Sequence, residues 1–207
     1  QDDRLVALDL KDDRLQISLE AFSGKNRVTI NGTVWQPLAE PFGTVEVHAA
    51  ELELNDDLFT AITEGPREVV RSLNPTGRVN VYLRISSDRP GVPPSKYMIA
   101  HVMPGGSVRW TQEPPNRGFP YPLTIYDGQI EMIDDEWAFR KFTGKNDTGV
   151  VQCEGRFGLG PNGKELWLTF TGSNIALEEE LRDSLSFPMQ RLWNDLRLRG
   201  MINLENL

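Results

Sequence analysis

Histidine is a frequent general base and metal ligand near neutral pH, and this 207-residue chain contains only two, His48 and His101. Each lies in an alternating, strand-like pattern rather than in a metal-ligand motif. The single cysteine, Cys153, excludes an internal disulfide framework and any site built from several cysteines. We therefore expect no metal ion and no cofactor, and we interpret both histidines as surface or locally hydrogen-bonded residues.

Two acidic groups have the residue types that bind cations but lack the spacing. Asp134-Asp135-Glu136 does not alternate its ligands as a calcium loop does, so we expect a solvated turn there. Glu178-Glu179-Glu180 could form a cation site, but the first turn of a helix favours acidic residues because of the helix dipole. We expect this second group to begin a helix.

The chain contains no G-x-S-x-G sequence and no Walker loop. Gly158–Gly163 resembles a phosphate-binding loop in its glycines, but no helix is expected after it, so a hairpin loop is the preferred interpretation. These features indicate that the chain is not an enzyme. A hydrolase whose acidic residues converge from separate loops is kept as an alternative.

Charge and composition narrow the classes of partner. The net charge of −8 argues against nucleic acid, because phosphate binding requires a clustered basic surface. No apolar run approaches the roughly 20 residues that span a bilayer. The chain begins at Gln1 without a Met and ends inside a repeated pattern, so we expect a portion of a longer protein, with any membrane anchor outside it.

The elements that would position functional residues come from an internal repeat. Residues 54–84 match residues 177–207 without a gap, at an offset of 123. Gly77 matches Gly200, and Asn80 matches Asn203. Each copy predicts two short helices, the second starting at a proline, then a turn and a strand. Gly77 and Gly200 lie between helix and strand, where a positive φ is often required.

The remainder of the chain is rich in strands. We predict hairpins at Asp12-Asp13 and Asp127-Gly128, and a turn within Phe22–Asn26 that Phe142–Asn146 repeats at an offset of 120. The second copy therefore has three extra residues near Asp147. The expected division is a partial first repeat at 1–87, a Pro-rich connection at 88–96 and a second repeat at 97–207.

The predicted fold class is mainly β with short helices, a curved antiparallel sheet built from two related repeats. Apolar residues alternate along its strands and would share one face. The candidate lipid-binding residues are Val45, Val47, Val79, Val81, Leu83, Ile85, Leu166, Leu168 and Phe170. Two arrangements are possible, an open apolar groove or a closed domain. We favour closure, because the helices carry their own apolar residues, namely Leu58, Ile62, Val69, Leu181, Leu185 and Leu192.

The order of these elements resembles a known family. Gly118–Leu123 leads into a strand hairpin, a turn at Gly144, the strands 150–157 and 166–170, and the acidic-Leu helix. This order is similar to the repeats of large AsmA-like and TamB-like envelope proteins, particularly planctomycete-type members. The resemblance implies an elongated sheet with an apolar concave face, a bacterial cell-envelope and periplasmic location, and lipid acyl chains as partners. The helical insert in each repeat departs from a groove built of strands alone.

Overall fold

The computed structural model describes residues 6–23, 25–62, 64–111, 118–161 and 163–206. The described part of the protein is mostly β, with four short helices. Its elements, in chain order, are β1 (Val6–Lys11), β2 (Arg14–Ser23), β3 (Asn26–Trp35), β4 (Phe42–Glu53), α1 (Asp56–Ala61), α2 (Glu64–Leu73), β5 (Arg78–Ser87), β6 (Ser95–Val102), β7 (Gly106–Thr111), β8 (Gly118–Ile133), β9 (Glu136–Asn146), β10 (Gly149–Gly160), β11 (Gly163–Ala176), α3 (Glu179–Ser184), α4 (Phe187–Leu196) and β12 (Met201–Leu204).

All twelve strands form one antiparallel sheet that is not closed. The order across the sheet is β1-β2-β3-β4-β5-β6-β8-β9-β10-β11-β12, and β7 pairs with β8 beside β6. The sheet continues across the Pro-rich connection at 88–96, because β5 and β6 pair directly on either side of it. The predicted fold class is confirmed, whereas the division into repeats at this connection stays a prediction.

The two helix pairs confirm the internal repeat. Adding 123 to the bounds of α1 and α2 gives the bounds of α3 and α4. The chain turns back in the same way after both pairs, since Leu54 N–H donates to Gly77 O at 2.9 Å and Leu177 N–H donates to Gly200 O at 2.8 Å. The two copies therefore share one fold from the last strand before the helices to the strand after them.

A bulge before each helix pair also repeats. Glu51 and Asn174 have φ values of 53° and 54°, and the pairing of each strand with its neighbour shifts register there. The N–H of Glu51 donates to Asn80 Oδ1 at 2.8 Å, and the N–H of Asn174 donates to Asn203 Oδ1 at 3.0 Å. An unpaired backbone N–H at a bulge needs such an acceptor, which explains why both copies have Asn at this position.

The predicted hairpin at Asp127-Gly128 is wrong. β8 runs through both residues, and its pairing with β9 shifts register around Asp127. A Cβ atom on Gly128 would lie 2.7 Å from the ring of Phe142, so this glycine serves close packing inside a strand rather than a turn. The chain reverses instead at Asp134-Asp135, where the acidic turn was expected and where Asp134 has a φ of 55°.

Two smaller predictions are also corrected. Phe142–Asn146 lies within β9, and the turn that Gly144 was expected to make falls at Asp147-Thr148, because the three extra residues lengthen the strand. α2 begins at Glu64, two residues before Pro66. A proline is tolerated in the first turn, because the N–H groups there have no partner within the helix. By contrast, Gly158–Gly163 forms the expected hairpin, with Gly160 paired to Gly163 around the turn.

Gly77 and Gly200 test the repeat thermodynamically, because their φ values are 110° and 107°. We expect Gly200→Ala to destabilise the fold by about 1 kcal/mol through backbone strain alone. Gly77→Ala should cost more, since a Cβ there would lie 2.6 Å from the Cα of Gly106, whereas nothing lies within 4 Å at Gly200. Chemical denaturation measures both, and equal or negligible losses would contradict this account.

Candidate functional site

One face of the sheet carries apolar side chains across most of its strands; we call it the apolar face. The register places apolar residues directly opposite one another from β2 to β11. One row consists of Leu19, Ile30, Val47, Leu83, Met98, Met132, Trp137, Phe157 and Leu166. The next row consists of Ala21, Val28, Ala49, Val81, Ala100, Ile130, Phe139, Gly155 and Leu168.

The nine candidate residues all lie on this face, in two groups. Those of β4 and β5 are paired, with Val45 opposite Ile85 and Val47 opposite Leu83. Those of β11 lie five strands from β5, a separation of about 24 Å at the usual spacing of paired strands. Val79 differs from the rest of the set, because it is only 4% exposed and belongs to the core. The other eight are half-buried.

The residues that join the two groups were not among the candidate residues. Met98, Met132, Trp137 and Phe157 fill the interval between Leu83 and Leu166 along one row. The alternation of apolar residues was visible in each strand. Because a turn was predicted at Asp127-Gly128, the sequence did not show that β6, β8, β9 and β10 are consecutive neighbours in the sheet.

The helices cover only one end of the apolar face. Leu181 of α3 and Trp193 of α4 are buried in a cluster with Tyr121 and Ile175, and Leu185 packs against that cluster. The principal contacts of the helices with strands are those of α2 with β7 and of α3 with β8. Leu192, which was expected to help cover the sheet, is 47% exposed, and the side chain of Val69 lies outside the described residues.

Surface area supports the same conclusion. The chain exposes 13853 Å², whereas a compact monomer of 23.4 kDa exposes about 9,700 Å². No large side chain among the described residues is fully buried. The preference for a closed domain is therefore corrected. The sheet is a single layer over most of its area, because each helix pair is too short to extend beyond the sheet end at which it is inserted.

Two recesses lie on the opposite, polar face among the described residues. A groove of about 740 Å³ on β9, β10 and β11 is lined by polar residues such as Gln152, Arg156 and Thr169, together with Trp167. A second recess of about 380 Å³ contains both histidines and Tyr82. The resemblance implied an apolar concave face, and these two recesses do not lie on it.

No catalytic arrangement converges in either recess. His48 and His101 are exposed, and the ring of His48 lies 4.8 Å from that of Tyr82. Within the described ranges, no three or more His, Cys, Asp or Glu side chains come together in a way that could hold a metal ion. The acidic residues 178–180 begin α3, where Glu180 accepts a hydrogen bond from Asn146 Nδ2 at 2.9 Å.

Buried Tyr121 and half-buried Cys153 have perturbed pKa values. Burial, followed by the charges of Glu178 and Glu180, raises the pKa of Tyr121 to about 12. Burial also raises the pKa of the Cys153 thiol to about 11, with a smaller contribution from Glu154. Both shifts favour the neutral group, so the stability that they contribute is present at neutral pH and is lost as the pH rises through the two folded-state values.

Cys153 lies on the apolar face, where it pairs with Phe142 and Phe170 on the neighbouring strands. The reactivity of its thiol therefore tests the environment of this face. With its pKa raised from 9 to about 11, its thiolate fraction at pH 8 falls by about 100-fold. We expect alkylation of the native protein to be slower by about that factor than alkylation in denaturant, and to accelerate with pH up to about 11. Equal rates in native and denatured protein would contradict this prediction.

No described helix is long and apolar enough to cross a membrane. Comparisons of the chain with protein-family models, with curated proteins and with solved structures each found no match.

Proposed function

We propose that the chain is a non-enzymatic repeat module that binds lipid acyl chains on its apolar face. It would work as part of a larger cell-envelope protein in the bacterial periplasm and contribute to lipid transport between membranes. The AsmA-like and TamB-like resemblance motivates the location and the larger protein. The apolar face motivates the ligand.

The observation behind the proposal is a row of apolar side chains that crosses nine consecutive strands. None of its residues belongs to the cluster that the second helix pair helps to bury. At the usual strand spacing the row is about 38 Å long, longer than the thickness of a bilayer hydrocarbon core. Proteins that act as monomers rarely expose contiguous apolar patches larger than a few hundred Å². A face of this extent requires an apolar ligand or partner.

Acyl chains suit this face for energetic reasons. Removal of apolar surface from water contributes about 25 cal/mol per Å², or about 0.8 kcal/mol for each buried methylene group. The face offers methionine and aromatic side chains, which adapt to flexible ligands, and the central row has no charged residue that could select a head group. Binding should therefore depend on the length of the acyl chain and little on the head group.

Photo-crosslinking tests which face meets the lipid. A photoreactive amino acid at Leu83, on the apolar face, should crosslink to phosphatidylglycerol or phosphatidylethanolamine, whereas the same group at the neighbouring Tyr82 should not. The contrast is expected because adjacent residues of a strand point to opposite faces. Crosslinks at neither position would support a closed or purely structural module, and equal crosslinks at both would contradict a specific face.

A matched pair of substitutions in β6 tests the physical basis. Met98 pairs with Leu83 and Met132 on the apolar face, whereas Ile99 pairs with Tyr82 and Glu131 on the polar face. Met98→Glu should weaken binding of a fluorescent fatty acid by about tenfold or more, since a charge there must be desolvated on binding. Ile99→Glu adds the same charge and should leave the affinity unchanged. Equal losses would indicate general destabilisation.

A further inference from the structure

The smaller recess on the polar face lies in the interior of the sheet. It is formed by residues of β3, β4, β5 and β6, and each of these strands pairs with a neighbour on both sides. Its volume of about 380 Å³ falls within the usual range of sites that bind small molecules. The recess therefore does not depend on an edge of the sheet.

The side chains that line this recess supply hydrogen-bond donors and no carboxylate. N–H or O–H groups are borne by Arg27, Thr29, His48, Asn80 and His101. No Asp or Glu among the described residues lines the recess, although the chain contains 30 acidic residues and has a net charge of −8. A group of donors without a carboxylate suits a negatively charged ligand.

A bulge in β4 shapes the recess and orients Asn80. The pairing of β4 with β5 shifts register between Ala49 and Leu52, and the small side chain of Ala50 at the bulge lines the recess. The N–H of Glu51 donates to Asn80 Oδ1 at 2.8 Å. Because this bond engages the acceptor of the amide, the Nδ2 donors of Asn80 remain for a ligand.

Two carboxylates beside the recess already have partners. Glu20 lies opposite Thr29 and binds the guanidinium of Arg27, with 2.7 Å between Oε1 and Nε and 2.9 Å between Oε2 and Nη2. Glu46 accepts a hydrogen bond from the Tyr82 hydroxyl at 2.7 Å. A guanidinium has five N–H donors, so the pair with Glu20 leaves others on Arg27 for an anion.

Tyr82 provides a surface for the organic part of a ligand. It lies between His48 on β4 and Ile99 on β6, and its ring centroid is 4.8 Å from that of His48. Aromatic side chains offer a large apolar body beside their polar group. The ring and the neighbouring Ile99 therefore give this polar face a small apolar area next to the donors.

The second copy of the repeat shows that the fold does not require these donors. It keeps the asparagine of the bulge as Asn203, which accepts the equivalent backbone hydrogen bond. At the positions that match Arg27 and His48, however, it has Val150 and Thr171. The bulge and its strands therefore form without an arginine and a histidine, so the fold does not account for the two donors.

We propose that this recess binds a small organic anion that carries a phosphoryl group. The register places Thr29 opposite His48, with Arg27 two residues along the same face, so these three side chains donate to the phosphoryl oxygens. The organic part of the ligand lies over Tyr82 and extends towards His101. The sheet separates this ligand from acyl chains on the apolar face, so the inference does not rest on the proposed function.

Nuclear magnetic resonance tests the site directly, because both histidines of the chain line it. Glycerol 3-phosphate at constant pH and ionic strength should shift the ring signals of His48 and His101, and His48→Gln assigns the two sets. Binding is expected to be weak, since exposed charges are screened by water and salt.

The same phosphoryl chemistry occurs in soluble metabolites and in phospholipid head groups, and a second probe separates the two sources. Vesicles that contain phosphatidic acid should shift or broaden the histidine signals only if a membrane head group enters the recess. A response to glycerol 3-phosphate alone identifies a soluble ligand. No response to either probe, or an equal response to sodium chloride, would overturn the proposal.

A matched pair of arginines tests whether binding is local. Arg27 and Arg140 each pair with a glutamate, and their side chains are 61% and 57% exposed, but only Arg27 lines the recess. Arg27→Gln should raise the Kd for glycerol 3-phosphate by about tenfold, because it removes a charged donor. Arg140→Gln removes the same charge and should leave the Kd unchanged.

Equal losses of affinity in the two variants would indicate a general effect of charge and would also overturn the site. Binding of a fluorescent fatty acid should be unchanged in both variants, because the substitutions lie on the opposite face of the sheet from the apolar rows. This measurement distinguishes a failure of the anion site from a failure of the proposed function.

Discussion

Antiparallel pairing in a register that places apolar residues opposite one another is the constraint on which this structure depends. Side chains alternate between the faces of a strand, so a shift of one residue in any strand would move its apolar residues to the other face. From Leu19 on β2 to Leu166 on β11 that shift does not occur. Bulges at Glu51, Lys141 and Asn174 insert extra residues, and the apolar row is continuous because it lies away from them.

The helices pack against one end of the sheet. Where each pair is inserted, a bulge turns the strand and an asparagine satisfies the freed backbone N–H. The second pair also buries Tyr121 and Ile175, and the centre of the sheet remains a single layer. A single layer cannot form a dry core by itself, so a ligand or partner that covers the apolar face would stabilise it.

The two faces of the sheet differ in chemistry. The apolar face offers rows of apolar side chains, which suit acyl chains. The polar face carries the two recesses and both histidines.

The sequence alone determined the elements that depend on neighbours along the chain. The repeat at an offset of 123, the helix pairs, and the need for glycine at Gly77 and Gly200 all follow from local residue types and are confirmed. The alternation of apolar residues also predicted which side chains would share a face.

Tertiary structure decided the rest, because strand pairing and helix coverage depend on residues distant in sequence. Asp127-Gly128 has the composition of a turn, yet it lies inside β8, since pairing with β9 and contact with Phe142 outweigh the local preference. The helices carry enough apolar residues to cover part of a sheet, but only their insertion at one end shows that Leu83 and Leu168 remain accessible.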